Sequence, residues 1–354
     1  MSSAQTNRNP LVTCLVLATA VVAGLCAAMP GIHVSARELQ RPPGLALAAA
    51  ASDLPQLRSL LVSRHGELVA EYYARGIGQA RLENVKSASK SVIAALVGIA
   101  IQRGDIKSLD QPIAAYLPEL KQDRDARKQS ITIEDLLTMR AGLESTSGRN
   151  YGRWVQSPNW VRFALARPMV AEPGTNMQYS TGSSHLLSAI LTRATGKSTW
   201  QFANDTLARP LGFTLARWPQ DPQGVYFGGN EMLLTPKQMV ALGELYLHRG
   251  SANGRQVVPA AWVDTSCVPR TASVFDAERR YGYGWWMQQL EGGTPCFAWG
   301  YGGQYIFVFR DLDLVVTATS STAVSEERRG HRRRLFELIE QQILAPLRAT
   351  DRAR

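Results

Sequence analysis

Histidine, lysine and cysteine are scarce in this chain of 354 residues, which holds five, seven and four of them. The histidines, His33, His65, His185, His248 and His331, stand apart from one another, and no Cys/His spacing matches a metal site. Neither a metal nor a cofactor is expected. There is no Gly-x-Ser-x-Gly elbow and no alternation of strands with helices, which excludes a Ser-His-Asp α/β-hydrolase. Internal repeats and low-complexity blocks are absent too. Positive charge prevails, at +10 formally, but the basic residues are scattered except for Arg328, Arg329, Arg332, Arg333 and Arg334. No aromatic residues interleave a basic motif, so no nucleic-acid partner is expected, and these arginines read as the solvated start of a C-terminal helix over 335–347.

Two of the cysteines, Cys14 and Cys26, fall in an apolar run over 11–29 that follows Arg8 and ends at Pro30-Gly31. The run reads as an export signal, with Val34-Ser35-Ala36 as a cleavage site, and it is also long enough to stay in a membrane as an anchor. Residues 1–36 are therefore expected to be a signal peptide or N-terminal membrane anchor, 37–55 a Pro- and Ala-rich linker, and 56–350 one domain. The expected location is periplasmic or secreted, or held at the inner membrane by residues 11–29. Cys267 and Cys296 are left in the mature part, where they form a disulfide or stand as two separate thiols.

What the chain has in quantity is apolar residues, 45% of the total, enough for a large core. Period-two patterns over 57–63 and 67–73, flanking Arg64-His65-Gly66, predict a β-hairpin. Residues 86–104 predict a helix that is polar at its start and apolar on every side afterwards, which places it in the middle of a domain. Residues 109–118, with two prolines, read as an irregular loop. Helical patterns follow over 132–139, 157–166, 183–195 and 235–247, and strands return over 283–289, 296–300, 305–310 and 314–319. The fold class is α+β: an antiparallel sheet built from both chain ends and flanked by helices, plus a mostly helical lobe.

Ser87 and Lys90 form the single Ser-x-x-Lys of the chain, three apart at the entry of the central helix. A hydroxyl and an amine on one helical face make a nucleophile beside a base, provided burial and the positive helix end destabilise the ammonium. Ser87 capping the helix and Lys90 reaching solvent is the plainer alternative. Tyr179 precedes the helix at 183 on a Pro-Gly loop and is a second acid/base candidate, or else a packing residue. Ala298-Trp-Gly-Tyr-Gly-Gly-Gln304 puts three glycines around the start of a strand, where backbone N–H groups bind an oxyanion or the chain merely turns. Trp154, Trp160, Trp218, Trp285, Trp286 and Trp299 are candidates for an apolar acyl pocket or for the core.

The order Ser87-Ala-Ser-Lys90, Tyr179-Ser-Thr-Gly, then a glycine-bearing late strand resembles the penicillin-recognising serine hydrolases, and within them the class C β-lactamase-related branch. That branch includes family VIII esterases, 6-aminohexanoate-dimer hydrolases, D-aminopeptidase-like enzymes and DD-peptidases. Pro173-Gly-Thr, Gly228-Gly229, Leu234-Thr-Pro, Trp262-Val and Tyr281-Gly-Tyr-Gly-Trp285 carry the resemblance further, over about residues 57–347. It implies a β-lactamase/transpeptidase-like fold and an acyl-enzyme on Ser87, with Lys90 and Tyr179 sharing proton transfer. It also implies an oxyanion site on the strand at Gly300, Tyr301 and Gly302, with the Tyr301 N–H as donor, and a substrate contact at Thr181. Two departures stand out: Thr181 replaces the family's Asn, and Ala298-Trp299-Gly300 replaces Lys-Thr-Gly. The amide that contacts an acylamino side chain and the cation that holds a substrate carboxylate are both lost. The expected substrate is thus a small-molecule ester or linear amide. A β-lactamase or D-alanyl-D-alanine carboxypeptidase is the alternative, and a non-catalytic envelope binding domain is the rival of another class.

Overall fold

The computed structural model describes residues 43–352, so the segment expected as signal or anchor over 1–36 lies outside the described residues. The described chain opens with α1 (Pro43–Ser52), inside the stretch expected to be a linker. Its alanine run has high helix propensity, and Leu47 and Ala51 are buried among Leu335, Leu338 and Ile343 of the C-terminal helices, a partner that local composition does not announce. Among the described residues no helix is long and apolar enough to cross a membrane.

The expected hairpin forms as β1 (Leu57–Arg64) and β2 (Glu67–Tyr73). A two-residue strand β3 (Glu83–Asn84) then leads through a tight turn into α2 (Ser89–Arg103), which Gly104 closes in the left-handed conformation with φ 79°. Every α2 residue from Ser89 to Ala100 is buried, as an all-round apolar helix requires. Each fully buried Val, Leu or Ile contributes roughly 1.5–3 kcal/mol of transfer free energy, which holds the polar helix entry inside the domain as well.

The helical lobe comprises α3 (Ile133–Leu137), α4 (Tyr151–Val155), α5 (Trp160–Leu165), α6 (Thr181–Thr195) and α7 (Thr199–Ala203). A capping box between Thr132 and Asp135 starts α3, while α6 begins two residues ahead of the expected 183 because Ser180 already has extended, N-cap geometry. The chain returns through β4 (Leu233–Leu234), antiparallel to β3, then α8 (Pro236–Leu247), a small ribbon of β5 (Ser251–Ala252) with β6 (Arg255–Gln256), and α9 (Ala260–Ser266). Short strands β7 (Thr271–Ala272), β8 (Arg280–Tyr281) and β9 (Trp286–Met287) precede the long ones, β10 (Cys296–Gly300), β11 (Gln304–Phe309) and β12 (Leu314–Ser320). The strand expected over 283–289 thus shrinks to β9, since Gly284 at φ 76° breaks the extended run.

The main sheet has eight strands in the order β2-β1-β12-β11-β10-β9-β8-β7, antiparallel throughout. Leu60 opposite Ala318 and Val62 opposite Val316 join the first strand of the chain to the last. One face carries Ala298, Ile306 and Val308 into the core around α2 and α8. The other carries Phe297, Tyr305 and Phe307 against α1, α10 (His331–Leu338) and the helix that continues to α11 (Ala345–Arg352). Cys267, just after α9, is bonded to Cys296 at the head of β10, which resolves the two readings of that pair. Closing a loop of 29 residues in this way stabilises the fold by about 2–4 kcal/mol.

Candidate active site

Ser87 lies in the 3-10 turn Lys86–Ala88, one step before α2 and half-buried, so its hydroxyl stands at the mouth of a buried helix entry. The three-residue spacing brings Lys90 beneath it: Nζ lies 3.1 Å from Ser87 Oγ, donates to the Gly229 carbonyl at 2.6 Å and lies 3.4 Å from Thr181 Oγ1. Lys90 is only 4% exposed, and none of these partners is a carboxylate. Desolvation therefore brings its pKa down to about 7. A neutral amine that donates to Gly229 and Thr181 has its lone pair left for the Ser87 proton.

Tyr179 comes from the loop that enters α6. That loop is pinned by Ser145 Oγ donating to the Tyr179 carbonyl at 2.6 Å and by the Gln178 N–H donating to the Met139 carbonyl at 2.7 Å. The Tyr179 ring rests on Trp286 and Phe275, with the Lys90 Nζ 5.1 Å from its centroid. Burial pushes the phenol up to about 12, against the opposing effect of its hydrogen bond with Ser87. Near neutral pH the phenol keeps its proton, which suits a donor rather than a base.

Thr181 is buried at the first position of α6, and Ser147, which the sequence reading missed, takes its N–H at 2.9 Å and shares a hydrogen bond with its hydroxyl at 3.0 Å. Nothing in the Ser-rich stretch around Ser147 distinguishes it before folding. Gly229 is the second missed contact. A Cβ there would stand 3.1 Å from Lys90 Nζ and 2.8 Å from Ser184 Cβ, so only glycine brings this carbonyl so close to the amine. The paired Gly228-Gly229 was the available signal.

The glycine strand flanks the same turn. A Cβ on Gly300 would lie 2.1 Å from the Val85 carbonyl, so the end of β10 runs directly beside the segment that delivers Ser87. Gly302 and Gly303 follow at φ 96° and 110°. The Tyr301 side chain is exposed and stacks under the Arg328 guanidinium. Ala298, at the position of the family's lysine, is fully buried, and Trp299 packs on Trp286 and Phe275. Of the six candidate tryptophans, Trp154, Trp160, Trp218 and Trp285 are core; Trp286 and Trp299 border the site.

His185 and Asp221 form a pair that does not face Ser87. The His185 Nε2 is 3.0 Å from Asp221, Nδ1 accepts from the Gly228 N–H at 3.4 Å, and both side chains are fully buried. This pair braces the loop that carries Gly229. Among the described residues no group of His, Cys, Asp and Glu could hold a metal ion.

With this geometry in place, comparison with known proteins gives a consistent picture. The beta-lactamase family model matches residues 58–341. A 6-aminohexanoate-dimer hydrolase of Paenarthrobacter ureafaciens is 26% identical over 343 residues, covering 86% of this chain and 85% of that protein. Among solved structures, EstCE1, described as a hydrolase with promiscuous acyltransferase activity, superposes with a TM-score of 0.70 at 18% identity, covering 84% of this chain and 97% of that one. A penicillin-binding protein homologue from Caulobacter crescentus does so with a TM-score of 0.67 at 17% identity, covering 85% and 96%. At these identities the structural matches speak for the fold alone.

Proposed function

The chain belongs to the beta-lactamase family and is a serine hydrolase of that fold, and on this premise we propose that it is an exported enzyme that cleaves a small ester or linear amide through an acyl-enzyme on Ser87. The observation that carries the mechanism is the buried, carboxylate-free Lys90 within 3.1 Å of the Ser87 hydroxyl. In this reading Lys90 takes the Ser87 proton as Oγ bonds to the substrate carbonyl carbon. The carbonyl electron pair moves onto oxygen, which the N–H groups of Ser87 and Tyr301 receive. On collapse the bond to the leaving oxygen or nitrogen breaks, Tyr179 protonates that atom, and the Lys90 ammonium returns a proton to Tyr179. Water then repeats the sequence on the acyl-enzyme.

The substrate class follows from what is missing. With Thr181 in place of an amide and buried Ala298 in place of a cation, the side chains that β-lactamase or carboxypeptidase chemistry would draw on are gone, while the acyl-transfer groups are intact. The 6-aminohexanoate-dimer hydrolase relative supports a linear amide. Export is supported by the Cys267–Cys296 disulfide, a bond at home in an oxidising compartment.

The test is a parallel assay of purified protein on a p-nitrophenyl ester, a 6-aminohexanoate dimer and nitrocefin, with Ser87→Ala as control. Turnover of the ester or the dimer, lost in Ser87→Ala, is expected. Nitrocefin as the best substrate, or unchanged turnover in Ser87→Ala, overturns the reading.

A further inference from the structure

Lys86 immediately precedes the nucleophile and has φ 51°, in the left-handed region that side-chain-bearing residues rarely adopt. Across from it, Glu231 has φ 64°. The two stand at the end of one small ribbon. Glu83 pairs with Leu234 and Asn84 with Leu233, the Val85 N–H donates to the Met232 carbonyl at 3.0 Å, and the next residue on each side is Lys86 and Glu231. There the ribbon opens into the catalytic turn on one side and the Asn230-Gly229 segment on the other.

Three hydrogen bonds close this end. The Lys86 N–H donates to Asn84 Oδ1 at 2.9 Å, Asn84 Nδ2 donates to one oxygen of Glu231 at 2.5 Å, and Lys86 Nζ donates to the other at 2.9 Å. Both partners of the ion pair are partly shielded, with Lys86 22% and Glu231 27% exposed. The ring has two consequences for the site. It fixes the kink at Lys86 through which the chain turns from β3 into α2, and so the direction of the Ser87 hydroxyl and amide. It also fixes the strand two residues beyond the Gly229 carbonyl that receives Lys90.

We infer that Glu231, with Asn84 and Lys86, is a positioning clamp that holds Lys86 in the left-handed conformation needed to present Ser87, an inference that rests on the acyl-enzyme reading. Backbone held in a sparsely populated region persists only where its surroundings over-determine it, and here they do so one residue from the nucleophile. None of the three residues touches the reacting atoms. Glu231 acts through Lys86, and glycine at position 86 would need no clamp to adopt the same φ.

This last point supplies the test. Glu231→Gln keeps size and polarity but leaves one of two facing donors without an acceptor. Its kcat on a p-nitrophenyl ester, divided by the fraction of sites titrated by a fluorophosphonate, is expected to fall roughly 10- to 100-fold, the scale of a misplaced reacting group, with KM little changed. Division by titrated sites removes any effect of misfolded protein. Adding Lys86→Gly to Glu231→Gln is expected to recover most of that loss, and adding Lys86→Ala to recover none. Parent-like kcat per site in Glu231→Gln, or equal behaviour of the two double variants, overturns the clamp. Absence of turnover in the parent, or turnover in Ser87→Ala, overturns the hydrolase reading instead. The crystal structure of Glu231→Gln then still decides the clamp: Lys86 leaving the left-handed region supports it, and Lys86 staying there refutes it.

Discussion

Two lysines of this protein are about equally buried, and their surroundings are opposite. Lys90 is 4% exposed and Lys128 5%. Lys128, in a surface-proximal 3-10 turn, donates to Asp123 at 2.9 Å and to the Leu165 carbonyl at 2.8 Å, so its charge has a counter-charge. Lys90 has two hydroxyls and a carbonyl, and among the described residues no counter-charge. An ammonium stripped of water without an anion is costly, and the group relieves that cost by giving up its proton. Burial by itself thus does not make a base. Burial without a carboxylate does, and among the described residues Lys90 has that setting with a serine within reach.

The largest expected effect separates the two directly. Lys90→Met is expected to lower kcat/KM on a p-nitrophenyl ester by about 100- to 10,000-fold, the range of general-base removal, while Lys128→Met leaves turnover per folded molecule unchanged. An equal loss in both would break the comparison. Next, kcat/KM of the parent is expected to rise with pH through about 7 and level off above it, because the deprotonated amine is the active form and its pKa is about 7. Tyr179→Phe lowers the plateau and leaves that limb in place; a limb that disappears with the phenol would assign it to Tyr179 instead. The smallest effect is structural. Asp123→Asn removes the counter-charge of Lys128 and is expected to cost about 1–2 kcal/mol in urea unfolding, discounted because Asp123 is 24% exposed, with no change in the pH limb.

Much of the fold could be read from the chain because its signals are local. The hairpin over 57–73, the helix closed by Gly104, the Pro236 helix and β10 each follow from period, cap or turn residues that act within a few positions. Where reading went astray, a distant partner decided the outcome. α1 is a helix because the C-terminal helices cover it, and β9 is short because Gly284 must pass close to α2, where a Cβ would lie 2.8 Å from the Lys90 carbonyl. In the candidate site, Ser87, Lys90 and Tyr179 were nominated from residue type and spacing, and the structure brings the three together. Ser147 and the Asn84–Lys86–Glu231 ring could not be nominated this way, and Gly229 showed only as one of a glycine pair, since each acts through a hydrogen bond across at least 34 residues of sequence, except for the Asn84–Lys86 contact itself.

By itself the sequence determined that a hydroxyl and an amine stand three residues apart at the entry of a buried helix, because residue spacing and an all-round apolar surface are properties of contiguous residues. It also determined which family groups are lost, because Thr181 and Ala298 are what they are in any conformation. Only the tertiary structure decided that the amine has no carboxylate near it. That is a property of everything packed around Lys90, from Gly229 to Thr181, and the energy of a buried charge depends on its whole surroundings rather than on its neighbours in the chain.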